Sequence, residues 1–420
     1  AAAIALFHAG ADVTVYEAAS SLREIGAGIN VQAVAVGALI DLGIPLEKFH
    51  DEELGDSILT SSVEYFTSDG IFIASEAVGL KAGAPHPQLS AHRAKFHSTL
   101  VAECRRLLGE ERLILNHSFV SFEQMEDGRL SLHFESTDAK QVLPPVHCDF
   151  LVAADGLKSR VRAALSGAAE PRYTGRTIYR GLCEVDAVSG DGRTVSLCGD
   201  QSCNFICYPI SEKLRAQGRF HCNWGFCTLR PHPGGMESWT SMAKLEDIRE
   251  ELERMGANSF AGLSPLQMAE RSDSIIGWAL FDRDPLETFD FGNVTLLGDA
   301  AHPLLPYGSQ GATQAIMDAE ALGVCYQNAM QSGTGIHGCI KAYSDLRCEV
   351  TGKVVIANRE MGSTAVLKVV DEQTQGMDLG AKRRWCAENG PRLHDEVIQK
   401  YRASMPKSVR ATKLASAASA

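Results

Sequence analysis

The chain has 420 residues, of which 45% are apolar and 22% charged, and its formal net charge at pH 7 is -12. This length supports two or three domains with a large core, and the composition excludes a disordered or collagen-like chain. The negative charge makes nucleic acid and anionic membrane surfaces poor partners, because both repel an acidic protein.

Cysteine usage and the length of the apolar runs narrow the class of protein further. No run approaches the roughly 18 consecutive apolar residues of a membrane-spanning helix. The twelve cysteines include no CxxC pair, and the tightest group, Cys198 to Cys227, lacks the paired spacing of a zinc site. We therefore expect no membrane span, no metal site, and free thiols in a reducing compartment, the cytoplasm.

The first residues predict the second half of a βαβ unit. AAAIALFHAG is helical in pattern and ends at a glycine, and a strand over Val13 to Tyr16 follows with Glu17 at its end. In dinucleotide-binding folds an acidic residue at this place binds a ribose hydroxyl. The first strand and the GxGxxG turn of such a unit are not in the sequence, and we expect them in the full gene product.

The next part of the chain alternates between helical and strand patterns. GAGINVQAVAVGALIDLGI (26–44) predicts a glycine-rich loop followed by an amphipathic helix, and a turn-rich stretch then reaches residue 90. A second helix is predicted over residues 93–108. Short alternating runs follow, and then DFLVAADG (149–156), a continuous apolar strand typical of a parallel sheet that is buried on both faces.

From about residue 172 to 280 the pattern becomes β-rich, with one helix near 245–256, and predicts an antiparallel sheet. NVTLLGD (293–299) returns to a buried strand, and helices follow from about Ala312 to an Ala/Ser-rich end that we expect to fray. The predicted fold is α/β: a doubly wound domain with an inserted antiparallel β-sheet domain and C-terminal helices. The predicted boundaries are 1–70, 93–170 and 280–350 for the first domain, 71–92 and 171–279 for the inserted domain, and 351–420 for the C-terminal helices.

Three strand ends marked by glycine lie far apart in the sequence: Glu17 to Gly28, Asp155-Gly156 and Gly298-Asp299. Ligands of open α/β sheets bind where the carboxyl ends of strands meet, so one large cofactor could contact all three. After the third strand end, GSQG (308–311) opens a helix, whose N-terminal N–H groups and dipole stabilise an anion such as the ring of a reduced flavin.

Together these motifs resemble the single-component FAD-dependent aromatic hydroxylases of the para-hydroxybenzoate and salicylate hydroxylase type. The resemblance rests on Glu17, on DGLKSRVR (155–162), and on GDAAHP (298–303) followed by Gly308 and Gly311. Further stretches are similar to the phenazine hydroxylase branch in particular. These are PQLSAHR (87–93), YRG (179–181), YPI (208–210), NW (223–224), DRDPL (282–286) and ANRE (357–360).

The resemblance implies an FAD site assembled from the whole length of the chain. Its implied members are Glu17 at the adenosine ribose, Arg93 at the phosphate or ribityl region, Asp155 and Gly156 in the groove shared by FAD and NAD(P)H, Asp299 at the ribityl chain, and Gly28, Pro306, Gly308 and Gly311 around the isoalloxazine ring.

The resemblance also implies the reaction. NAD(P)H would reduce FAD, O2 would form the flavin C4a-hydroperoxide, and its distal oxygen would hydroxylate a small aromatic or heteroaromatic substrate with water kept out. The substrate would lie between the loop that precedes Gly311 and the β-rich domain. The implied lining residues are Tyr179, Arg180, Tyr208, Trp224, Leu305 and Tyr307.

Several of these assignments have a structural alternative. His302, a catalytic candidate with Pro306 and Tyr307, is either a general base or a loop histidine hydrogen-bonded to backbone. Arg180 either pairs with a substrate carboxylate or forms an interdomain salt bridge, and an aromatic lining residue such as Trp224 either stacks on substrate or belongs to the sheet core.

Two other functions remain open at this point. One is a non-catalytic relic that cannot hold FAD because the glycine turn is missing. The other is a flavin-dependent reductase or halogenase of the same fold, although the WxWxIP signature of halogenases is not in the sequence. The sequence leaves the substrate, the choice between NADH and NADPH, and a monomeric or homodimeric state undecided.

Overall fold

A computed structural model describes residues 1–22, 27–50, 56–167, 170–236, 238, 241–255 and 264–405. The strands are β1 Val15–Tyr16, β2 Gly28–Val31, β3 Ile58–Thr60, β4 Ser62–Thr67, β5 Phe72–Ala77, β6 Gln88–His92, β7 Leu113–Ile114, β8 Ser118–Gln124, β9 Leu130–Glu135, β10 Val146–Cys148, β11 Leu151–Ala153, β12 Arg172–Val185, β13 Thr194–Gly199, β14 Cys203–Pro209, β15 Phe220–Leu229, β16 Met242–Ala243, β17 Ile275–Asp282 and β18 Val294–Leu296.

The helices are α1 Ala2–His8, α2 Ala33–Asp41, α3 Glu47–His50, α4 Arg93–Leu108, α5 Arg160–Ser166, α6 Glu212–Ala216, α7 Arg249–Arg254, α8 Pro265–Glu270, α9 Gln310–Ser332, α10 Gly335–Arg359, α11 Ala365–Thr374 and α12 Leu379–Ala403. Gly26 of the predicted loop, residue 256 of a predicted helix and the Ala/Ser-rich end after residue 405 lie outside the described residues. None of the described helices is long and apolar enough to cross a membrane.

The largest sheet has eight strands in the order β16-β17-β12-β15-β14-β13-β4-β5. All neighbours are antiparallel except β13 and β4. The strands expected between residues 172 and 280 form most of it. Two further strands, β4 and β5, come from the stretch that we interpreted as turn-rich.

The two faces of this sheet contact different parts of the molecule, because successive residues of a strand point to opposite sides. On one face Trp224 stacks on Phe205, with ring centroids 5.6 Å apart and planes 9° from parallel, and Leu252 of α7 and Met268 of α8 pack in the same core. The opposite face carries residues such as Ile206 and lines a cavity.

Parallel strand pairs and long helices form the other side of the molecule. β1 pairs with β7 and β11 with β18, both in parallel. The first helix packs against α9 so closely that a Cβ on Gly323 would lie 3.0 Å from the Cβ of Ala5. This mixed α/β architecture, with a large sheet and C-terminal helices, confirms the predicted fold class.

The predicted domain boundaries stay predictions, but two of them would divide a continuous sheet or helix. The boundary at residue 70 separates β4 from β5, although both strands belong to the large sheet. The boundary at residue 350 falls inside α10. A division that follows the sheets would place β4 with the inserted domain and α10 with α9.

Replacing Trp224 tests the sheet core. We expect Trp224→Ala to lower the free energy of unfolding by about 3–5 kcal/mol, because it removes a fully buried ring. Urea unfolding followed by circular dichroism measures this. Leu379→Ala is the control, since Leu379 is 62% exposed and its loss should change the same quantity by less than about 0.5 kcal/mol. Equal effects of the two substitutions would contradict the assignment of Trp224 to the core.

Candidate functional site

Three of the residues expected at the cofactor lie along one cleft. Glu17 follows β1, Arg93 begins α4, and Asp299 follows β18. Arg93 is close enough to Asp299 for their charges to interact, and His97, one turn further along α4, interacts with both Arg93 and Glu17. The structure therefore brings residues of three distant segments close to one another.

The Asp299 carboxylate lies in the wall of this cleft. Its side chain is exposed, but protein surrounds it on most sides and raises its pKa, while the charges of His302 and Arg93 act in the opposite direction. Within the described ranges of the chain, no side chain or backbone N–H donates a hydrogen bond to it. Both oxygens can therefore accept hydrogen bonds from hydroxyl groups of a bound molecule.

Residues Pro306 to Gly311, which lead into the first turn of α9, are called the glycine loop below. It turns through two left-handed residues, Gly308 with φ 73° and Ser309 with φ 55°. Gln32 donates a hydrogen bond from Nε2 to the Gly308 carbonyl at 2.8 Å. No side chain caps the start of α9, and a Cβ on Gly311 would have no heavy atom within 4 Å. The helix start is thus open on its Gly311 side.

Asp155, at the second of the three predicted strand ends, has a different role from Glu17 and Asp299. Asp155 accepts hydrogen bonds from Ser159 Oγ at 2.5 Å and from the backbone N–H of Arg160 at 2.8 Å, so its carboxylate caps the start of α5. Arg162 donates to the carbonyl of Ala301 at 2.8 Å and thereby fastens α5 to the turn that carries Asp299. At Gly156, where φ is 80°, a Cβ would meet nothing within 4 Å, so the groove beside it is open.

His302 is 3% exposed and faces the protein interior. Its Nε2 lies 2.6 Å from Oδ2 of Asp318, and the Nε of the equally buried Arg347 lies 2.7 Å from Oδ1. Burial raises the pKa of Asp318, but the charges of and hydrogen bonds from His302 and Arg347 lower it to about 2. The histidine is therefore held in place by a carboxylate, and its catalytic role stays a prediction.

A chain of buried hydrogen bonds connects this cluster with the glycine loop. Arg347 donates to Gln314 Oε1 at 2.8 Å, and Gln314 donates to Gln310 Oε1 at the same distance. Gln310 donates to the Gly308 carbonyl at 3.2 Å. The position of the loop carbonyl therefore depends on Asp318, which anchors the other end of the chain.

A cavity of about 800 Å³ lies beside the glycine loop. Its walls come from α2, the large sheet, the loop itself and α12. Pro306 and Tyr307 line it, and the Tyr307 hydroxyl is 3.3 Å from Cys227 Sγ on β15. Burial holds the pKa of Tyr307 well above its usual value, so the phenol stays protonated. The lining also contains the charged residues Asp41, Glu76 and Arg402, and Glu76 accepts a hydrogen bond from Arg402 of α12.

Strand alternation separates the predicted substrate residues into two groups. Tyr179 and Trp224 lie on the far face of the large sheet, in the core under α7 and α8, where the Tyr179 hydroxyl accepts a hydrogen bond from Arg230 at 3.3 Å. The structure therefore does not bring these two residues to the cavity. Leu305 is buried beside Ile178 and Tyr307, behind the cavity wall.

Arg180 and Tyr208 lie on the other face of the large sheet, the face that carries Ile206, and they are close to Gly28 and Arg93. Burial and the charge of Arg93 lower the pKa of Arg180 to about 10, whereas Tyr208 raises it. Asn223 Oδ1 accepts a hydrogen bond from the Gly28 N–H at 2.6 Å, and a Cβ on Gly28 would lie 2.8 Å from the Tyr208 ring. Gly28 thus allows β2 to approach the large sheet.

Several lining residues were not predicted. The positions of Asn204 and Ile206 can be inferred from the strand alternation of NFICYPI (204–210), because both share a face with Tyr208. Gln32 and the α12 residue Tyr401 carry no sequence signal, because only the tertiary fold brings them to the cavity. All twelve cysteines lie in the described part of the chain, and each is a free thiol.

Known proteins are similar to this chain over most of its length. The sequence profile of a family described as "FAD binding domain" matches residues 1–358. A phenazine 1,6-dicarboxylic acid hydroxylase of Lysobacter antibioticus is 32% identical over 364 residues, which cover 85% of this chain and 86% of the relative. An aurachin C monooxygenase/isomerase of Stigmatella aurantiaca is 31% identical over 324 residues, 77% of this chain and 76% of the relative.

Among solved structures, Klebsiella pneumoniae HpxO complexed with FAD and uric acid is similar with a TM-score of 0.69 at 22% sequence identity. The match covers 96% of this chain and 94% of that one. This similarity concerns the fold.

The buried carboxylate predicts an acid-sensitive difference in stability. We expect Asp318→Asn to lower the free energy of unfolding at neutral pH by about 3–5 kcal/mol, because Arg347 is left buried without its counterion. A carboxylate with a depressed pKa stabilises the fold above about pH 4 and loses this effect as the pH falls towards 2. The difference between wild type and variant should therefore shrink over that range.

Denaturant unfolding at a series of pH values measures this difference. Glu396→Gln is the control, since the Arg392–Glu396 pair is exposed and should contribute less than about 0.5 kcal/mol at any pH. A difference in the free energy of unfolding between wild type and Asp318→Asn that stays constant down to pH 2 would contradict the role assigned to Asp318.

Proposed function

The chain belongs to the FAD binding domain family, and on that ground we propose that it is an FAD-dependent, NAD(P)H-consuming monooxygenase that hydroxylates a small aromatic or heteroaromatic compound. The curated relatives named above are a hydroxylase and a monooxygenase. The observation that carries the proposal is the cleft of Glu17, Arg93 and Asp299, together with the glycine loop that borders a cavity of aromatic size.

The residues along the cleft have the chemistry that FAD requires. Glu17 and Asp299 offer carboxylate oxygens for ribose and ribityl hydroxyls, and Arg93 offers a cation for the phosphates. The uncapped start of α9 offers N–H groups for the electron-rich edge of the ring system, and Gly311 leaves room beside it. We assign these residues to FAD binding, with Gly156 along the same groove and Gly308 shaping the loop.

Bound FAD would supply the transfer of electrons from NAD(P)H and the activation of O2. The chain's own contribution is placement and the exclusion of water. Apolar side chains of the large sheet and of α12 line part of the cavity, and they would exclude water from the side of a ring that packs against them. Pro306 and Tyr307 line the cavity on the side of the glycine loop. His302 acts on the loop through Asp318, and we assign it a positioning role.

The cavity volume limits the substrate. About 800 Å³ lies within the range of small-molecule sites and accommodates a ring system of two or three fused rings. The names of the relatives include a phenazine acid, and we propose a polycyclic heteroaromatic substrate for this chain as well. The free thiols are consistent with a reducing compartment, and we propose the cytoplasm.

The direct test is a purified preparation supplied with FAD. We expect yellow protein with flavin absorbance after removal of unbound cofactor, and NAD(P)H oxidation that phenolic, anthranilate-like or phenazine acids stimulate. Hydroxylated product and hydrogen peroxide are measured separately, because peroxide reports reducing equivalents that did not reach the substrate. A colourless preparation that FAD cannot restore would contradict the proposal.

Two glycines of the loop should respond differently to alanine. Gly311→Ala should leave the stability of the FAD-free protein unchanged, since its Cβ meets no protein atom, but should weaken FAD binding on the order of tenfold by filling the groove. Gly308→Ala should lower both the stability of the FAD-free protein and its affinity for FAD, because φ is 73° and the Cβ would lie 2.3 Å from the Tyr401 hydroxyl. Thermal unfolding without FAD and fluorescence titration with FAD give the two readouts. Full FAD affinity in Gly311→Ala would show that the ring does not pass that helix start.

A further inference from the structure

Asn204 is a polar residue in the apolar floor of the cavity. It lies in β14, is 5% exposed, and is paired in register with Cys227 of β15. Cys227 in turn contacts the Tyr307 hydroxyl of the glycine loop. Paired residues on neighbouring strands share a face and lie about 5 Å apart, so Asn204 is one strand away from the contact with the loop.

The neighbours of Asn204 on its own face of the sheet are mostly apolar, and the charge that acts on its partner Cys227 is the cation of Arg176, which cannot accept a hydrogen bond. Neighbours on the same face of the sheet are Ile178, Ile206 and Leu197, and Gly225 has no side chain to fill the space between them. Of the described side chains that the eight strands contribute to the lining, the only other hydroxyl or amide group is the phenol of Tyr65. That phenol donates its hydrogen bond to Glu76 at 3.3 Å. None of these strand side chains is a hydrogen-bond partner of the Asn204 amide nitrogen.

The amide nitrogen of Asn204 is buried and has no hydrogen-bond partner among the residues that the structure describes. A buried donor without a partner costs folding free energy, and an apolar side chain of the same shape would avoid that cost. A polar group kept at such a place is explained when a ligand supplies the missing acceptor. The last torsion angle of asparagine has a broad, roughly two-fold preference, so rotation about it exchanges the positions of the amide nitrogen and oxygen.

We propose that Asn204 is a substrate-recognition residue that donates a hydrogen bond to an acceptor on the aromatic ring system: a ring nitrogen, a carbonyl or a phenolic oxygen. This inference rests on the proposed function, because it places the substrate in the cavity beside the glycine loop. The hydrogen bond selects heteroaromatic or oxygenated rings over hydrocarbons and fixes which edge of the ring points to the sheet. A site built to hydrogen-bond its substrate discriminates against analogues that lack the partner.

The experiment compares two bicyclic probes of equal shape on the FAD-loaded protein. Quinoline carries a ring nitrogen as an acceptor and naphthalene carries none. Dissociation constants come from the change in flavin absorbance or fluorescence as each probe is added. We expect Asn204→Leu to reduce the quinoline-to-naphthalene affinity ratio about tenfold, the usual value of one hydrogen bond. Asn328→Leu, at an exposed position of α9, should leave the ratio unchanged.

The stability of the variant keeps the test informative. Since the Asn204 amide nitrogen gives up no hydrogen bond to the protein, Asn204→Leu should unfold at a temperature no lower than wild type in the absence of probe. Asn204→Ala is the second variant and should lower the affinity ratio by a similar factor. A stable, yellow variant with an unchanged ratio would overturn the inference alone.

Two other outcomes also decide the question. A wild-type holoenzyme that binds neither probe overturns the inference, because the cavity then does not accept such a ring. Protein that retains no flavin and shows no NAD(P)H oxidation overturns the proposed function, and the inference that rests on it fails too. Flavin retention is measured on every preparation, so the two failures are distinguished.

Discussion

The arrangement around Asp318 is the constraint on which the candidate site depends. This fully buried carboxylate binds the side chains of His302 and Arg347 and also accepts the Gly298 N–H at 3.0 Å. One side chain of α9 therefore fixes α10 and the turn that presents Asp299, and through the two glutamines it reaches the Gly308 carbonyl. A buried charge is tolerable only when it is paired, and here the carboxylate is in direct contact with the Arg347 guanidinium and the His302 ring.

Local patterns in the sequence were sufficient for much of the fold. The helix predicted over residues 93–108 coincides with α4, and the β-rich region contains β12 to β15. Here the sequence signal is strong because helical and strand periodicities are sustained over many residues. The strands β4 and β5 were missed, since their stretch is rich in turn residues and β4 is paired with β13, more than a hundred residues away. Such long-range pairing leaves no local signal.

The site was predictable in part. Glu17, Arg93 and Asp299 follow strand ends or begin a helix, and the topology of the sheet brings such positions together. The lining of the cavity was predicted less well. Of the expected lining residues only Tyr307 borders it, and Tyr179 and Trp224 lie on the opposite face of the sheet. The alternation of YRG and NW already distinguishes the two faces, but choosing the inner face requires the packing of α7 and α8 on the sheet. Asp318 and Arg347 meet only through helix packing.

The last described helix, α12, gives the molecule an unusual dependence on the far end of its chain. Tyr401 of that helix lies against Gly308, donates a hydrogen bond to Asn358 at 3.3 Å, and closes one wall of the cavity. The room available to a guest molecule is thus shaped by a segment well over a hundred residues downstream of the strands that form the floor. Substitutions in this carboxyl-terminal helix can consequently change which molecules the cavity accommodates, while the cleft of Glu17, Arg93 and Asp299 stays unchanged.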